Sequence, residues 1–287
     1  MLDAELARHL ATQAGELLLG LRTELGFTDP SRLRDEGDRR SHEFLMTQLA
    51  AWRPDDAVLS EEALGARDAD EAAERLGAER IWIVDPLDGT REYAEPGRTD
   101  WAVHVALWTT TPAGAARRRR RTSGSLKSEQ GRLAAGAIAL PAQGSVLATD
   151  SAPQSPPDQT AHGAQVRIAV SRSRPPEFVA RVAEELGAVP VPMGSAGAKI
   201  AAVISGEVDA YLHAGGQYEW DSAAPVAVAL AQGLHASRLD GSPLIYNQAD
   251  PRLPDLLVCR PRLARPLLEA VERELLTASH PGMASAG

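Results

Sequence analysis

The segment that most constrains this chain is Ile81-Trp-Ile-Val84, which runs directly into Asp85-Pro-Leu-Asp88-Gly-Thr90. Four apolar residues without polar alternation predict a strand buried on both faces. Such a strand has no structural need to end in two aspartates three residues apart, next to a Gly-Thr pair. Carboxylates at a buried edge are unfavourable unless something positive meets them. Mg²⁺ takes oxygen ligands in octahedral geometry, drawn from a few carboxylates, water and phosphate. Asp85 and Asp88 supply two carboxylates within one turn, Pro86 stiffens that turn, and the Leu87 carbonyl can face the same ion. A helix beginning near Arg91 would turn its first N–H groups toward the same point, where a phosphate can be held. Taken alone, Asp88 reads equally well as a cap or a turn residue. The whole string fits one task.

Net charge is −9, from 30 basic and 39 acidic residues. That balance argues against general nucleic-acid binding, which leaves a basic footprint. It also means that an anionic substrate needs cations between itself and the acids. The single cysteine, Cys259, excludes an intrachain disulfide framework and suits a reducing cytoplasm. No apolar run reaches about 18 residues, so no membrane-spanning helix is expected. The start, MLDAELARHL, lacks the basic-then-apolar pattern of a secretory signal. The length allows one large or two modest domains.

Leucines at helical spacing predict a helix over 2–25, and a second over about 39–52. Strands follow at 57–60, ending in Glu61 and Glu62, and at 80–85. Further strands are expected at 101–108, 133–140 and 145–150, with Trp101, Val103, Val105 and Leu107 on one face. Residues 109–131, with Arg117 to Arg121, read as a solvated loop insertion rather than a nucleic-acid or membrane contact. A Pro- and Ser-rich stretch over 151–164 reads as a linker. Beyond it strands and helices alternate. The expectation is an α+β unit over 1–150 that carries the metal site, and an α/β unit over 165–287 that completes it.

Other candidates are individually ambiguous. Glu61 and Glu62 are either exposed acids or neighbours of Asp85, if their two strands pair. Asp221, in EWDSAAPVAVALAQG, suits a helix N-cap or a ligand. Lys199 is a surface lysine or a cation for a second anion. His104, His213 and His235 lack metal-ligand spacing and read as structural, and Cys259 reads as core.

The string LSEE before WIVDPLDGTREY, followed far downstream by EWDSAAPVAVALAQG, resembles the inositol monophosphatase superfamily. That family comprises Mg²⁺-dependent, lithium-sensitive phosphatases, including fructose bisphosphatases and bisphosphate nucleotidases. The similarity runs from the first helix to about residue 260, and GSAGAK at 194–199 is closer to the CysQ-type nucleotidase branch. The resemblance implies a layered αβαβα sandwich and a cytoplasmic homodimer acting on a small phosphate ester. It implies two or three Mg²⁺ ions: Glu61, Asp85 and the Leu87 carbonyl on the first, Asp85, Asp88 and Asp221 on the second. Asp85 would bridge ions about 3.5–4 Å apart. Gly89 and Thr90 would contact phosphate, with Ser195, Lys199 and Glu219 around the rest of the substrate. Thr90 would pair with an acid to position the attacking water. Here the chain departs from the family: the usual Pro-Val-Thr element is replaced by SRLRDEGDRRSHEF. Asp38 is the best match for the acid and Asp35 its competitor. The implied reaction removes the 3'-phosphate of 3'-phosphoadenosine 5'-phosphate, a by-product of sulfate assimilation. Inositol monophosphatase or fructose-1,6-bisphosphatase activity is the alternative.

Overall fold

A computed structural model of the chain describes residues 1–63, 69–110, 131–152, 165–173 and 175–279. The Arg117–Arg121 run and most of the 151–164 linker lie outside the described residues.

Helices α1 (Asp3–Leu25) and α2 (Pro30–Trp52) open the chain. The second begins nine residues earlier than its leucine spacing suggests. Asp29 accepts the Arg32 N–H at 3.0 Å and Pro30 fills the first turn, where its missing N–H costs nothing. Asp35 and Asp38 therefore lie inside a helix and not in a loop ahead of it.

A first sheet, in the order β1-β2-β3-β4-β5, is built from β1 (Ala57–Ser60), β2 (Arg80–Asp88), β3 (Ala102–Thr109), β4 (Arg132–Leu140) and β5 (Ser145–Ala148). Strand β1 runs parallel to β2, and the remaining pairs are antiparallel. Two short helices flank β2: α3 (Ala69–Gly77) before it and α4 (Thr90–Tyr93) after it. The second half supplies β6 (Arg167–Ser171), α5 (Glu177–Glu185), β7 (Val189–Met193) and α6 (Ala196–Ser205). These are followed by β8 (Ala210–Tyr218), α7 (Glu219–Ala231), β9 (His235–Ser237), β10 (Arg252–Cys259) and α8 (Pro261–Ser279). Its sheet has the order β7-β6-β8-β10-β9.

Three apolar cores stack these elements into five layers. Leu6, Leu10, Leu18, Leu45 and Leu49 of α1 and α2 pack on Trp82, Val84, Val103, Val105 and Leu107 of the first sheet. The opposite face of that sheet, with Leu59, Ile81, Ile83 and Ala106, packs on Ile200, Val203, Val226 and Val228 of α6 and α7. The same core continues to Tyr211, Leu256 and Val258 of the second sheet. The far face of the second sheet, with Ile168, Leu212, Leu257 and Cys259, meets Val179, Val182, Leu267 and Val271 of α5 and α8. The order is thus helix, sheet, helix, sheet, helix, as the αβαβα expectation requires. Both faces of each sheet are covered, which explains why Ile81 to Val84 show no alternation. Among the described residues no helix is long and apolar enough to cross a membrane.

Candidate metal and phosphate site

Strand pairing brings the acids together. In the parallel β1–β2 ladder Ser60 lies opposite Val84. The next residues, Glu61 and Asp85, are therefore neighbours, and the charge of Glu61 acts directly on Asp85. Asp85 and Asp88 pose a different problem, since residues three apart on a regular strand face opposite sides. A bulge resolves it. Asp85 stands opposite His104 and Asp88 opposite Ala102, so β2 holds one more residue than β3 across this interval. The extra residue returns Asp88 to the side of Asp85. Pro86 suits the bulge because it has no ladder N–H to lose. The buried Ser41 hydroxyl donates to the Pro86 carbonyl at 2.7 Å, and the Leu87 N–H donates to Asp85 Oδ1 at 3.0 Å.

Asp221 arrives from the other half. It is the third residue of α7 rather than its N-cap, and its Oδ2 accepts the Tyr218 N–H at 2.6 Å. Carboxylate oxygens of Asp85, Asp88 and Asp221 all lie within 4.8 Å of one another. Asp85 and Asp88 are buried, at 1% and 6% exposure. Burial and then the charges of Glu61, Asp88 and Asp221 push Asp85 well above the usual carboxylate range. Burial, then Asp88, pushes Asp221 up to about 7. Glu61 leaves part of its side chain in solvent but turns its carboxyl inward. Desolvation, then Asp38 and Glu62, raises it to about 7. Oxygen-only donors, mutually repelling and converging from three elements, are the donor set a hard divalent cation takes.

Asp88 is the exception, because its charge is answered within the protein. Burial works against it. His104, the Gly197 N–H and Lys199 outweigh that and hold its carboxyl below the ordinary range. Its Oδ1 accepts from Ala196 N–H at 3.2 Å and its Oδ2 from Gly197 N–H at 2.6 Å, so Asp88 meets the first turn of α6. The capping reading of Asp88 thus holds in part, for a helix more than a hundred residues away. His104 is fully buried, with Nε2 3.2 Å from Asp88 Oδ2 and Nδ1 3.1 Å from the Trp220 carbonyl. Sequence reasoning passed it over. The available signal was a lone imidazole in an otherwise apolar strand run; its register opposite Asp85 belongs to the fold. His213 and His235 make local bonds, to the Gly215 carbonyl and to Ser237.

Gly89 has φ +87°, a left-handed conformation that side chains disfavour, and a Cβ there would lie 2.8 Å from Ser195 Cβ. It turns the chain into α4, where the Thr90 hydroxyl lies 3.4 Å from Asp38 Oδ1 and 3.2 Å from the Leu87 carbonyl. Gly37 permits this meeting: a Cβ on it would sit 2.7 Å from the Tyr93 ring, so α2 approaches α4 closely. Burial, then Glu62, raises Asp38 to about 7. Asp35 is exposed on the same helix.

The three outer candidates are buried in the wall. Ser195 caps α6, its hydroxyl accepting the Ala198 N–H at 3.1 Å. Lys199 is 4% exposed, with its ammonium bound to the Gly194 carbonyl and 5.1 Å from the Tyr211 ring centroid. Burial lowers its pKa. Glu219 accepts the N–H groups of Asn247 and Gln248 at 2.6 and 2.7 Å, and Arg75 of α3 bonds the same loop from outside.

The fold and this acid cluster define the class of protein, and the chain belongs to the inositol monophosphatase family, whose model matches residues 4–116 and 120–275. Within it, a 3'-phosphoadenosine 5'-phosphate phosphatase of Mycobacterium leprae is 51% identical over 280 residues, covering 95% of this chain and 94% of that one. A protein of the same description from Mycobacterium tuberculosis is 52% identical over 258 residues, covering 90% and 89%. Among solved structures, inositol monophosphatase II of Staphylococcus aureus superposes with a TM-score of 0.67 at 19% identity, covering 98% of both chains. That likeness shows the shared fold.

Proposed function

We propose that the chain is a Mg²⁺-dependent phosphatase that removes the 3'-phosphate of 3'-phosphoadenosine 5'-phosphate. The observation that carries the reaction class is the convergence of Asp85, Asp88 and Asp221 oxygens within 4.8 Å. The substrate rests on the two mycobacterial relatives, each more than half identical over nearly all of both chains. Glu61, Asp85 and the Leu87 carbonyl would hold one ion, and Asp85, Asp88 and Asp221 a second. Divalent ions there would supply Lewis-acid polarisation of the phosphoryl group and acidify water toward neutral pH.

The protein's own groups do the rest. Gly89 and Thr90, at the start of α4, orient the anionic phosphoryl oxygens with donors already in place before reaction begins. The Thr90 hydroxyl and the Asp38 carboxylate form a hydrogen-bonded pair beside the cluster, placed to take up the proton of the attacking water. A carboxylate in hydrogen-bond reach of the hydroxyl is a group that can serve as general base. Ser195, Lys199 and Glu219 shape the wall from within. In this reading residues 1–150 bring most ligands and 165–287 bring Asp221. The protein works in the cytoplasm as a homodimer.

The test is phosphate release with Mg²⁺ from 3'-phosphoadenosine 5'-phosphate, inositol 1-phosphate and fructose 1,6-bisphosphate. The nucleotide should have the highest kcat/KM. Preference for either sugar-type ester overturns the substrate assignment, and no release from any of the three overturns the enzyme.

A further inference from the structure

We propose that His104 is the positioning residue that holds Asp88 and Asp221 at the spacing a shared cation needs. This rests on the metal reading above and adds a part to it.

His104 lies on β3, which supplies none of the proposed ligands, yet its ring touches each element that supplies or backs the second ion. Nε2 is 3.2 Å from Asp88 Oδ2, at the end of β2. Nε2 is buried and makes no hydrogen bond of ordinary geometry among the described residues, so the Asp88 carboxylate is the polar group it faces. Nδ1 is 3.1 Å from the carbonyl of Trp220, the residue before Asp221. The same ring fits a notch at the start of α6: a Cβ on Gly197 would lie 2.0 Å from Nε2. Gly197 in turn donates to Asp88 Oδ2.

The imidazole is therefore a strut. One end sets Asp88 and the other the Trp220 carbonyl, so the ring fixes Asp88 relative to the turn of α7 that carries Asp221. Val103, Val105 and Ala106 beside it on β3 have no exposure, and neither has His104 itself. An ordinary core histidine satisfies its nitrogens wherever a partner is offered. This one joins two ligand-bearing elements from opposite halves of the chain. Partners behind metal ligands usually govern affinity by about 10- to 100-fold.

The experiment is Mn²⁺ titration of the full chain, read by electron paramagnetic resonance, with kcat and KM measured in parallel. His104→Phe keeps a ring without donors, and His104→Gln keeps a donor on a flexible stem. His104→Phe should weaken the second ion by about 10- to 100-fold, leave the first within about twofold, and lower kcat with KM nearly unchanged. His104→Gln should recover part of the loss. A structural role alone would lower thermal stability without separating the two ions. Should His104→Phe not fold, His104→Gln carries the test by the same separation. Variants that bind both ions as the wild type does, or lose both equally, overturn the inference while the metal reading stands. A wild type that binds no Mn²⁺ overturns both.

Discussion

The Thr90 hydroxyl lies 3.4 Å from Asp38 Oδ1, although 52 residues separate them in the chain. Helix α2 brings one and the left-handed turn at Gly89 brings the other. If this pair manages the water's proton, Thr90→Ala and Asp38→Asn should each lower kcat by about 10²–10⁴. KM should hardly move, Thr90→Ala should leave the melting temperature nearly unchanged, and Asp38→Asn should raise it above pH 7, because burial and Glu62 disfavour the charged Asp38. Steady-state kinetics with the nucleotide substrate decides. A KM effect alone would place the pair in binding and not in chemistry.

Asp88 has two duties, as a proposed ligand and as acceptor for the first N–H groups of α6. Asp88→Asn should abolish turnover and also destabilise the fold by about 1–3 kcal/mol, because His104 would face an uncharged amide and one acceptor oxygen is lost. Asp221→Asn should abolish turnover at smaller cost, because Asn can still accept the Tyr218 N–H. Chemical denaturation of the two ion-free variants compares them. Equal stabilities would contradict the capping role of Asp88.

Crowded acids make the ion-free protein sensitive to alkali. Burial and neighbouring carboxylates hold Asp38, Glu61 and Asp221 at about 7, and Asp85 higher than its usual range. Unfolded carboxyls titrate near about 4. The folded state thus binds more protons between those values, and stability declines as pH rises through them. In chelator the melting temperature should fall from pH 5 to pH 8. Millimolar Mg²⁺ should raise it more at pH 8 than at pH 5, by several degrees, at about 2–4 °C per kcal/mol. An equal gain at both pH values would count against a carboxylate metal site.

Gly197 packs against His104 with no room for a methyl group. Gly197→Ala should destabilise the protein by about 1–3 kcal/mol through overpacking. Removing the ring should relieve the clash, so Gly197→Ala/His104→Ala should be less destabilised than the sum of the single changes. Thermal denaturation of the four proteins completes the cycle, and strict additivity would place the strain elsewhere.

Local chemistry made much of this legible in advance. Apolar runs marked the sheets, leucine spacing marked α1, and the alternation beyond residue 165 marked the second sheet with its helices. The strings around Asp85, Asp88 and Asp221 marked the carboxylates that the fold brings within 4.8 Å of one another, the bunching of oxygen donors that a hard cation requires. Less accessible was the start of α2. Asp29-Pro30 punctuates the chain equally well as a stop and as a start, and only packing on the sheet shows which.

What the one-dimensional pattern determined, then, is the set of chemical groups and the layered frame, because propensity and burial follow from neighbours a few residues away. Tertiary structure decided where those groups point. A one-residue bulge puts Asp88 on the side of Asp85, strand register sets Glu61 beside it, and contacts across more than a hundred residues turn His104 from an apparent core residue into a strut. The same packing buries Lys199 and Glu219, which composition alone would leave facing solvent. Side-chain direction depends on which strand lies opposite and which helix covers it, and neither is written in the local sequence.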